Sequence, residues 1–198
     1  MNLQTISGFP ATFAIKGGEI DIRPMAVDDA ESLLAFFRRV PEEDRLYLKD
    51  DVTDGKVIER WSRELDYSRV LPLLARAGTE IVGDGTLHRS RADARRHVAE
   101  VRVVIDPQHR NRGVGRTLLQ ALVDVARRED DRLEKLVFEV VGDAEQAAAH
   151  AAEALGFSRV ATFSAHVRYF KGEPHDLHVY EHQIGDEVSL DDPASHMF

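Results

Sequence analysis

The segment 103–116 constrains the fold of this chain more than any other part of the sequence. It runs Val-Val-Ile-Asp-Pro-Gln-His-Arg-Asn-Arg-Gly-Val-Gly-Arg. The β-branched start is typical of a strand, Pro107 ends that strand, and Val114 and Leu118 begin a helical repeat of apolar residues. Glycines let the backbone approach a ligand, and the first N–H groups of a helix have no partner within it. The segment therefore predicts an anion-binding loop at the start of a helix.

Three kinds of phosphate-binding loop use glycines in this way. A Walker loop requires Gly-x4-Gly-Lys-Ser/Thr. Here only one residue separates Gly113 from Gly115, and Arg116 stands in place of the lysine. A dinucleotide-binding fingerprint requires a third glycine at the position of Leu118. The Arg/Gln-x-x-Gly-x-Gly/Ala pattern that holds the pyrophosphate of coenzyme A matches residues 110–115 in full. On these six residues alone, a glycine-containing helix start without a ligand stays open.

The wider segment 99–119 resembles the central motif of the GNAT superfamily of N-acetyltransferases. Residues 22–24 with the acids at 28–29 resemble the family's opening strand and helix, and residues 154–157 resemble its later helix-to-strand turn. The resemblance covers about residues 20–184. It implies an enzyme that transfers the acetyl group of the cosubstrate acetyl-CoA to a primary amine by direct attack. A catalytically inactive acyl-CoA-binding sensor or interaction module is the alternative.

The resemblance also implies which backbone groups bind the cosubstrate. Three strand residues would flank the pantetheine arm, and the loop with the helix start would cradle the pyrophosphate. The strand residues are Val103, Val104 and Ile105, and the others are Arg110, Asn111, Arg112, Gly113, Val114, Gly115 and Arg116. A distorted strand would leave N–H groups free to polarise the thioester carbonyl, and a regular buried strand is the alternative.

Two glutamates are candidates for the base that deprotonates the amine. An alkyl amine with a pKa near 10.4 is protonated at neutral pH, and a carboxylate is a natural proton acceptor. Glu100 lies on the strand that enters the motif, where many relatives carry a glutamate; the alternative is a surface carboxylate paired with Arg102 or Arg96. Glu139 is the single charge in the apolar run 136–141, which predicts burial; the alternative is a charge at a sheet edge.

The sequence departs from the family pattern at the general acid. The usual tyrosine, four residues before the Gly-Phe turn, is replaced by Ala152, and the usual asparagine further upstream by Glu145. A thiol with a pKa near 8.5 can leave largely as thiolate, so turnover does not require that tyrosine. Tyr169, Tyr180 or a water could substitute, and the sequence selects none of them. The nine histidines are scattered, so we predict no metal site.

Hydrophobic periodicity predicts the order strand, two helices, three strands, helix, strand, helix, two strands. This order predicts an α/β fold of the GNAT type, a mixed, mostly antiparallel twisted sheet with helices on both faces. We assign residues 1–18 to an N-terminal extension that could add a strand across Gly17-Gly18. Residues 19–184 form a single N-acetyltransferase domain, and residues 185–198 form an acidic, mobile tail.

Composition and charge limit the binding partners and the cellular location that the sequence predicts. The net charge of −9 argues against nucleic acid, and no apolar run approaches the length of a membrane span. The chain has no cysteine and no signal-peptide pattern, which favours a cytoplasmic protein. The acceptor is a small-molecule or protein amine, and a homodimer is compatible with the sequence. Asp50, Asp51 and Asp54 could attract a cationic amine, with a solvated acidic loop as the alternative.

Overall fold

A computed structural model describes residues 6–45, 48, 50–129, 132–168 and 172–184. The strands are β1 (Ala11–Ile15), β2 (Gly18–Pro24), β3 (Val70–Ala77), β4 (Glu80–Arg89), β5 (Val98–Ile105), β6 (Lys135–Val141), β7 (Ser158–Arg168) and β8 (Pro174–Gln183). The α-helices are α1 (Ala30–Arg39), α2 (Gly55–Arg63), α3 (Val114–Glu129) and α4 (Gln146–Glu153). Asp54 caps α2 as its position predicts, because its carboxylate accepts the Lys56 N–H at 2.9 Å.

The eight strands form one sheet in the order β1-β2-β3-β4-β5-β6-β8-β7. Neighbouring strands are antiparallel except for the central pair β5 and β6, which is parallel. The predicted fold class and the predicted order of elements are therefore confirmed. β1 pairs with β2 across the Gly17-Gly18 turn. The division of the chain into three parts stays a prediction, and the tail at 185–198 lies outside the described residues.

Helices cover the sheet on both faces. One buried cluster joins the sheet to α3, with Leu118 and Leu122 at its centre, and a second joins it to α1 and α2 through Phe36 and Ile58. Since successive strand residues face opposite sides, β5 contributes Val101 to the first cluster and its later residues alternate between the two. Side chains of one strand therefore reach two different environments.

Two glycines of β4 bring α3 close to the sheet. A Cβ at Gly85 would lie 2.7 Å from Cγ of Leu118, and a Cβ at Gly83 would lie 3.0 Å from Cδ1 of Ile105. Larger residues at these positions would push α3 away from the strands. The close packing sets the first turn of α3 beside the end of β5.

Arg23 and Asp29 join β2 to the start of α1. The guanidinium donates two hydrogen bonds to the carboxylate at 2.5 and 2.6 Å, and the N–H of Ala26 donates a third at 2.7 Å. The Asp29 carboxylate is 9% exposed. Burial raises the pKa of Asp29, but the hydrogen bonds from Arg23 and Ala26 outweigh it and leave the pKa below its ordinary value. The motif at 22–29 therefore has a structural role, which is to orient α1.

We expect Arg23→Ala to lower the free energy of unfolding at neutral pH by about 2–4 kcal/mol, because it leaves a buried carboxylate without its cation. Because the folded-state pKa of Asp29 is lowered, this contribution is present above the ordinary carboxyl pKa and is lost as the pH falls below it. Urea unfolding at two pH values measures both effects. Arg38→Ala, on the exposed side of α1, is the control, and a loss no larger than that of the control would contradict the prediction.

Candidate active site

The strands β5 and β6 separate at the middle of the sheet. They pair over residues 98–101 of β5 and 135–138 of β6. Both strands continue beyond these residues without pairing with each other, while β5 stays paired with β4 as far as Ile105. A wedge-shaped gap therefore opens between two adjacent strands of the sheet.

A cavity of about 530 Å³ lies at this gap. The end of β5 and the start of α3 form one wall, and residues 144–151 at the start of α4 form the other. Leu119 and Phe138 contribute apolar surface between the walls. The volume falls within the range of roughly 300–1,000 Å³ typical of small-molecule sites.

The edge of β5 that faces the gap has backbone groups without a strand partner. The N–H of Asp106 donates to the carbonyl of Val82 on β4 at 3.0 Å, and backbone groups of a strand alternate in direction. The N–H groups of Val103 and Ile105 therefore point away from β4, into the gap. The register between β4 and β5 is continuous over residues 99–105, so the expected strand distortion is wrong. The free edge arises because β6 departs, and β5 itself is regular.

The loop after β5 is anchored at its base. The buried Asp106 carboxylate accepts the N–H of Gln108 at 2.9 Å and Nε of Arg39 on α1 at 2.8 Å. Although burial raises the pKa of Asp106, these bonds leave it below its ordinary value. The turn between β1 and β2 also contacts the loop, since the N–H of Lys16 donates to the Arg112 carbonyl at 2.9 Å. Both contacts fix the loop before any ligand is bound.

The loop conformation requires its glycine. Asn111 has a φ of 57° and Gly113 a φ of 95°, and both lie in the left-handed region, where asparagine and glycine are the favoured residues. The helix α3 then begins at Val114, and Thr117 supplies its first internal N–H bond, to the Gly113 carbonyl at 2.9 Å. The N–H groups of the first turn stay available to an anion.

Eight of the ten residues assigned to the cosubstrate line the cavity. They are Val103, Val104, Ile105, Arg110, Asn111, Gly113, Gly115 and Arg116. Arg112 and Val114 do not line it: the Arg112 carbonyl is bound to Lys16, and the Val114 side chain is in the core at 1% exposure. Their backbone N–H groups are still part of the loop. The role of all ten in binding stays a prediction.

The second wall was missed by the sequence prediction. Ala147, Ala148 and Ala151 of α4 line the cavity together with Ala144 just before the helix, and their small side chains leave it open. Their spacing of three and four residues is a helical signal that could have identified this face. Glu145 also lines the cavity, and its Oε2 accepts the N–H of Val141 at 2.8 Å.

Asp44 is a further cavity residue without a sequence signal. It lies in a short 3-10 turn after α1, and its Oδ2 accepts a hydrogen bond from the Arg110 guanidinium at 2.5 Å. Arg112 and Arg116 form no ion pair within the described part of the chain. The loop therefore carries two exposed guanidinium groups that can meet an anionic ligand.

The two candidate bases lie on the face of the sheet opposite α3. Glu100 receives hydrogen bonds from Nε of Arg102 at 2.6 Å and from its Nη2 at 2.5 Å, which is the paired-carboxylate alternative. Glu139 is exposed, so its predicted burial is wrong. It follows the last residue of β6 that pairs with β5, and it stands on that face because Phe138 and Val140 belong to the α3 cluster. Neither glutamate lines the cavity, and the base assignment stays a prediction.

Neither position 152 nor Tyr180 lines the cavity. Position 152, where the family has its tyrosine, is a fully buried alanine and carries no hydroxyl. Tyr180 is also buried, and its hydroxyl donates to Oε1 of Glu153 at 3.3 Å. Burial, followed by the charge of Glu153, raises the pKa of Tyr180. Tyr169 lies outside the described residues.

The acidic loop before α2 satisfies its own backbone. Asp51 accepts hydrogen bonds from Thr53, and Asp50 accepts one from the Trp61 indole N–H. Asp50, Asp51 and Asp54 are all exposed, as expected for a solvated acidic loop. Within the described ranges no group of three or more His, Asp or Glu side chains could hold a metal ion. In the same part of the chain, no helix combines the length and the apolar surface needed to cross a bilayer.

A central sheet that opens next to a glycine loop and a helix start defines a cofactor-binding acyltransferase fold. The model of the acetyltransferase (GNAT) family matches residues 31–157, which is more than half of the chain. The chain belongs to the GNAT family of acetyltransferases, which use acetyl-CoA. No curated protein matches the sequence significantly.

Solved structures share the fold at low sequence identity. A GNAT-family acetyltransferase from Streptococcus pneumoniae is 21% identical with a TM-score of 0.70, covering 83% of this chain and 99% of its own. The yncA protein of Salmonella typhimurium, solved with its cofactor acetyl-CoA, is 21% identical with a TM-score of 0.71, covering 87% and 98%. The ribosomal-protein-alanine N-acetyltransferase of Brucella melitensis is 22% identical with a TM-score of 0.69, covering 82% and 98%.

Proposed function

We propose that this protein transfers the acetyl group of acetyl-CoA to a primary amine by direct attack. The observation that carries the proposal is the gap between β5 and β6, where the cavity is lined both by Leu119 of α3 and by Val104, which packs on the opposite face of the sheet. Two substrates can therefore approach one point from opposite sides, and holding them in line supplies much of the rate. Small amines and protein amines both fit this arrangement.

The cavity residues fit acetyl-CoA. The loop from Arg110 to Arg116 offers backbone N–H groups, the start of α3 and exposed guanidiniums to the pyrophosphate. The alanines at α4 and the end of β5 line the part of the cavity that the pantetheine arm is proposed to occupy. When bound, acetyl-CoA supplies an activated acetyl group as a thioester.

The free edge of β5 is suited to stabilise the developing charge. The N–H groups of Val103 and Ile105 point into the gap, and a main-chain donor there can bind the carbonyl oxygen as it becomes negative. These donors belong to a paired strand, so they need little reorganisation. No side chain is required for this step.

A carboxylate on the opposite face is proposed to take the amine proton, directly or through water. Glu100 is held by Arg102, and Glu139 is exposed beside the gap. Each lies one residue along its own strand from the last β5–β6 pair, which is Val101 with Phe138. Glu139 has the more open position, and Glu100 matches the family's pattern.

We expect Glu100→Gln or Glu139→Gln to lower turnover at neutral pH by about 10- to 1,000-fold, because each removes a candidate proton acceptor. The affinity for acetyl-CoA should change little, since neither side chain lines the cavity. Release of coenzyme A with a panel of amines measures turnover, and titration with acetyl-CoA measures affinity. If both variants keep full activity on an accepted amine, the base assignment is wrong.

A catalytically inactive acyl-CoA sensor is the second candidate. The buried Ala152 in place of the family's tyrosine favours it. Tight binding of acetyl-CoA with no turnover on any amine would support the sensor, whereas steady release of coenzyme A with one amine would exclude it. A thermal-shift screen of amines with coenzyme A present would identify the acceptor class, because a ligand that binds the folded state raises the unfolding temperature.

A further inference from the structure

Asp84 is a buried carboxyl that has no counter-charge within the described part of the chain. It lies in the middle of β4 between Gly83 and Gly85, and the residue is 7% exposed. Its Oδ1 has no hydrogen-bond partner among the described residues. A buried polar atom without a hydrogen bond destabilises the folded protein. Such an atom needs a physical explanation, and one explanation is a ligand that supplies the missing hydrogen bond.

The side chain of Asp84 points to the face of the sheet opposite α3. Cβ atoms at the flanking glycines would meet Leu118 of α3, so positions 83 and 85 face that helix. Successive residues of a strand alternate, and position 84 therefore faces the other side. The residues opposite Asp84 on the neighbouring strands confirm this direction. They are Leu74 on β3 and Val104 on β5, and both pack in the second core cluster, on the side of α1 and α2.

Val104 lies between Asp84 and the cavity, which Asp84 itself does not line. It is the residue of β5 directly opposite Asp84, and it also lines the cavity at the gap. Residues directly opposite in neighbouring antiparallel strands have Cα atoms about 5 Å apart. The Asp84 carboxyl is therefore one strand away from the gap, on the face that carries Glu100 and Glu139.

The charged groups around Asp84 are committed elsewhere. On the same face of β5, Arg102 is bound to Glu100. On α1, Arg39 is bound to Asp106 and Glu80. On β4 the hydroxyl of Thr86 is hydrogen-bonded to His88 at 2.8 Å, and β3 presents Leu74. Burial alone raises the pKa of Asp84 to about 7.

We propose that Asp84 binds the ammonium group of the acceptor and selects cationic alkyl amines over neutral acceptors. The inference rests on the proposed amine acetylation, and it assigns to Asp84 recognition of the acceptor, with proton removal left to a carboxylate beside the gap. An ammonium ion supplies both the charge and the hydrogen-bond donors that Oδ1 lacks. A neutral alcohol or arylamine supplies no charge, so it gains less from this carboxyl.

The test compares Asp84→Asn with wild type on a cationic and a neutral amine. The probes are n-butylamine, which is protonated at neutral pH, and aniline, which is not. We expect Asp84→Asn to raise KM for n-butylamine by about 30-fold or more, equivalent to about 2 kcal/mol, with a smaller change in kcat. For aniline, kcat/KM should change less than about 3-fold, as should the affinity for acetyl-CoA. The control is Asp21→Asn, the same change at an exposed position of β2.

A binding measurement separates this inference from the proposed function. With coenzyme A present, n-butylamine should raise the unfolding temperature of wild type and of Asp21→Asn, whereas n-butanol should not. Asp84→Asn should lose the response to n-butylamine. Equal responses or equal KM values in wild type and Asp84→Asn would overturn the inference and leave acetyl transfer standing. A response to n-butylamine that only Asp84→Asn loses, with no acetylation of any amine, would support the ammonium site and contradict the enzyme.

Discussion

Gly115→Asp is expected to weaken acetyl-CoA binding by about 100-fold or more, equivalent to at least about 2.7 kcal/mol. Gly115 lies in the first turn of α3 and lines the cavity. A Cβ there would meet nothing closer than Cγ1 of Ile105 at 3.5 Å, so the fold accommodates the side chain. The new carboxylate would stand where the pyrophosphate is proposed to bind, and two like charges in a partly buried site repel strongly.

The same substitution should leave the protein as stable as wild type or slightly more stable. An acidic side chain in the first turn interacts favourably with the helix dipole by about 0.3–1 kcal/mol, and replacing glycine reduces the entropy of the unfolded chain. Titration with acetyl-CoA and thermal unfolding measure the two effects. Gly115→Ala is the control and should lose less than about 10-fold in affinity, since it adds volume but no charge. Unchanged binding in Gly115→Asp would place the pyrophosphate elsewhere.

Asp84→Asn is expected to stabilise the protein at alkaline pH. Burial raises the folded-state pKa of Asp84 to about 7 from an ordinary value of 3.8. Between these values the folded state binds more protons than the unfolded state, so the free energy of unfolding falls as the pH rises. Above about pH 7 the full penalty applies, and removing the charge should recover about 2–4 kcal/mol.

The pH dependence distinguishes this effect from a general change in packing. Near pH 4 the carboxyl is protonated in the folded state, so wild type and Asp84→Asn should unfold at similar temperatures. Thermal unfolding at about pH 4.5 and about pH 8.5 measures the difference, with Asp21→Asn as the exposed control. If Asp84→Asn is no more stable than wild type at the higher pH, the carboxyl has a compensating partner in the folded protein.

The loop at 110–116 could be predicted because its signals are local. A left-handed glycine, a helix start and a strand end depend on residues close together in the chain, and eight of the ten assigned residues line the cavity. The second wall is different. The alanines of α4 face the loop only because β6 carries α4 to the other side of the gap, and a short sequence window contains no such information.

The charged residues show the same limit. Glu100 could be assigned to a strand, but the sequence left Arg102 and Arg96 open as its ion-pair partner. In the structure the side chains of Glu100 and Arg102, two residues apart on β5, lie on the same face and form the pair. Glu139 was expected to be buried, because an apolar run usually means two covered faces. It is exposed on the face of the sheet opposite α3, since Phe138 and Val140 on either side of it pack in the α3 cluster. Asp84 had a signal, a lone acid between glycines in an apolar strand, that the sequence reasoning did not use.

Local patterns in the sequence were enough to predict the order of elements, the mixed sheet and a glycine loop at the start of a helix, because periodicity, glycine positions and helix starts are short-range properties of the chain. The tertiary structure decided which residues meet. Pairing of strands distant in sequence opens the gap beside residues 103–105 and sets Asp84 next to Val104. It also decides which carboxylates are buried, paired or exposed, because burial and charge compensation depend on neighbours brought together only by folding.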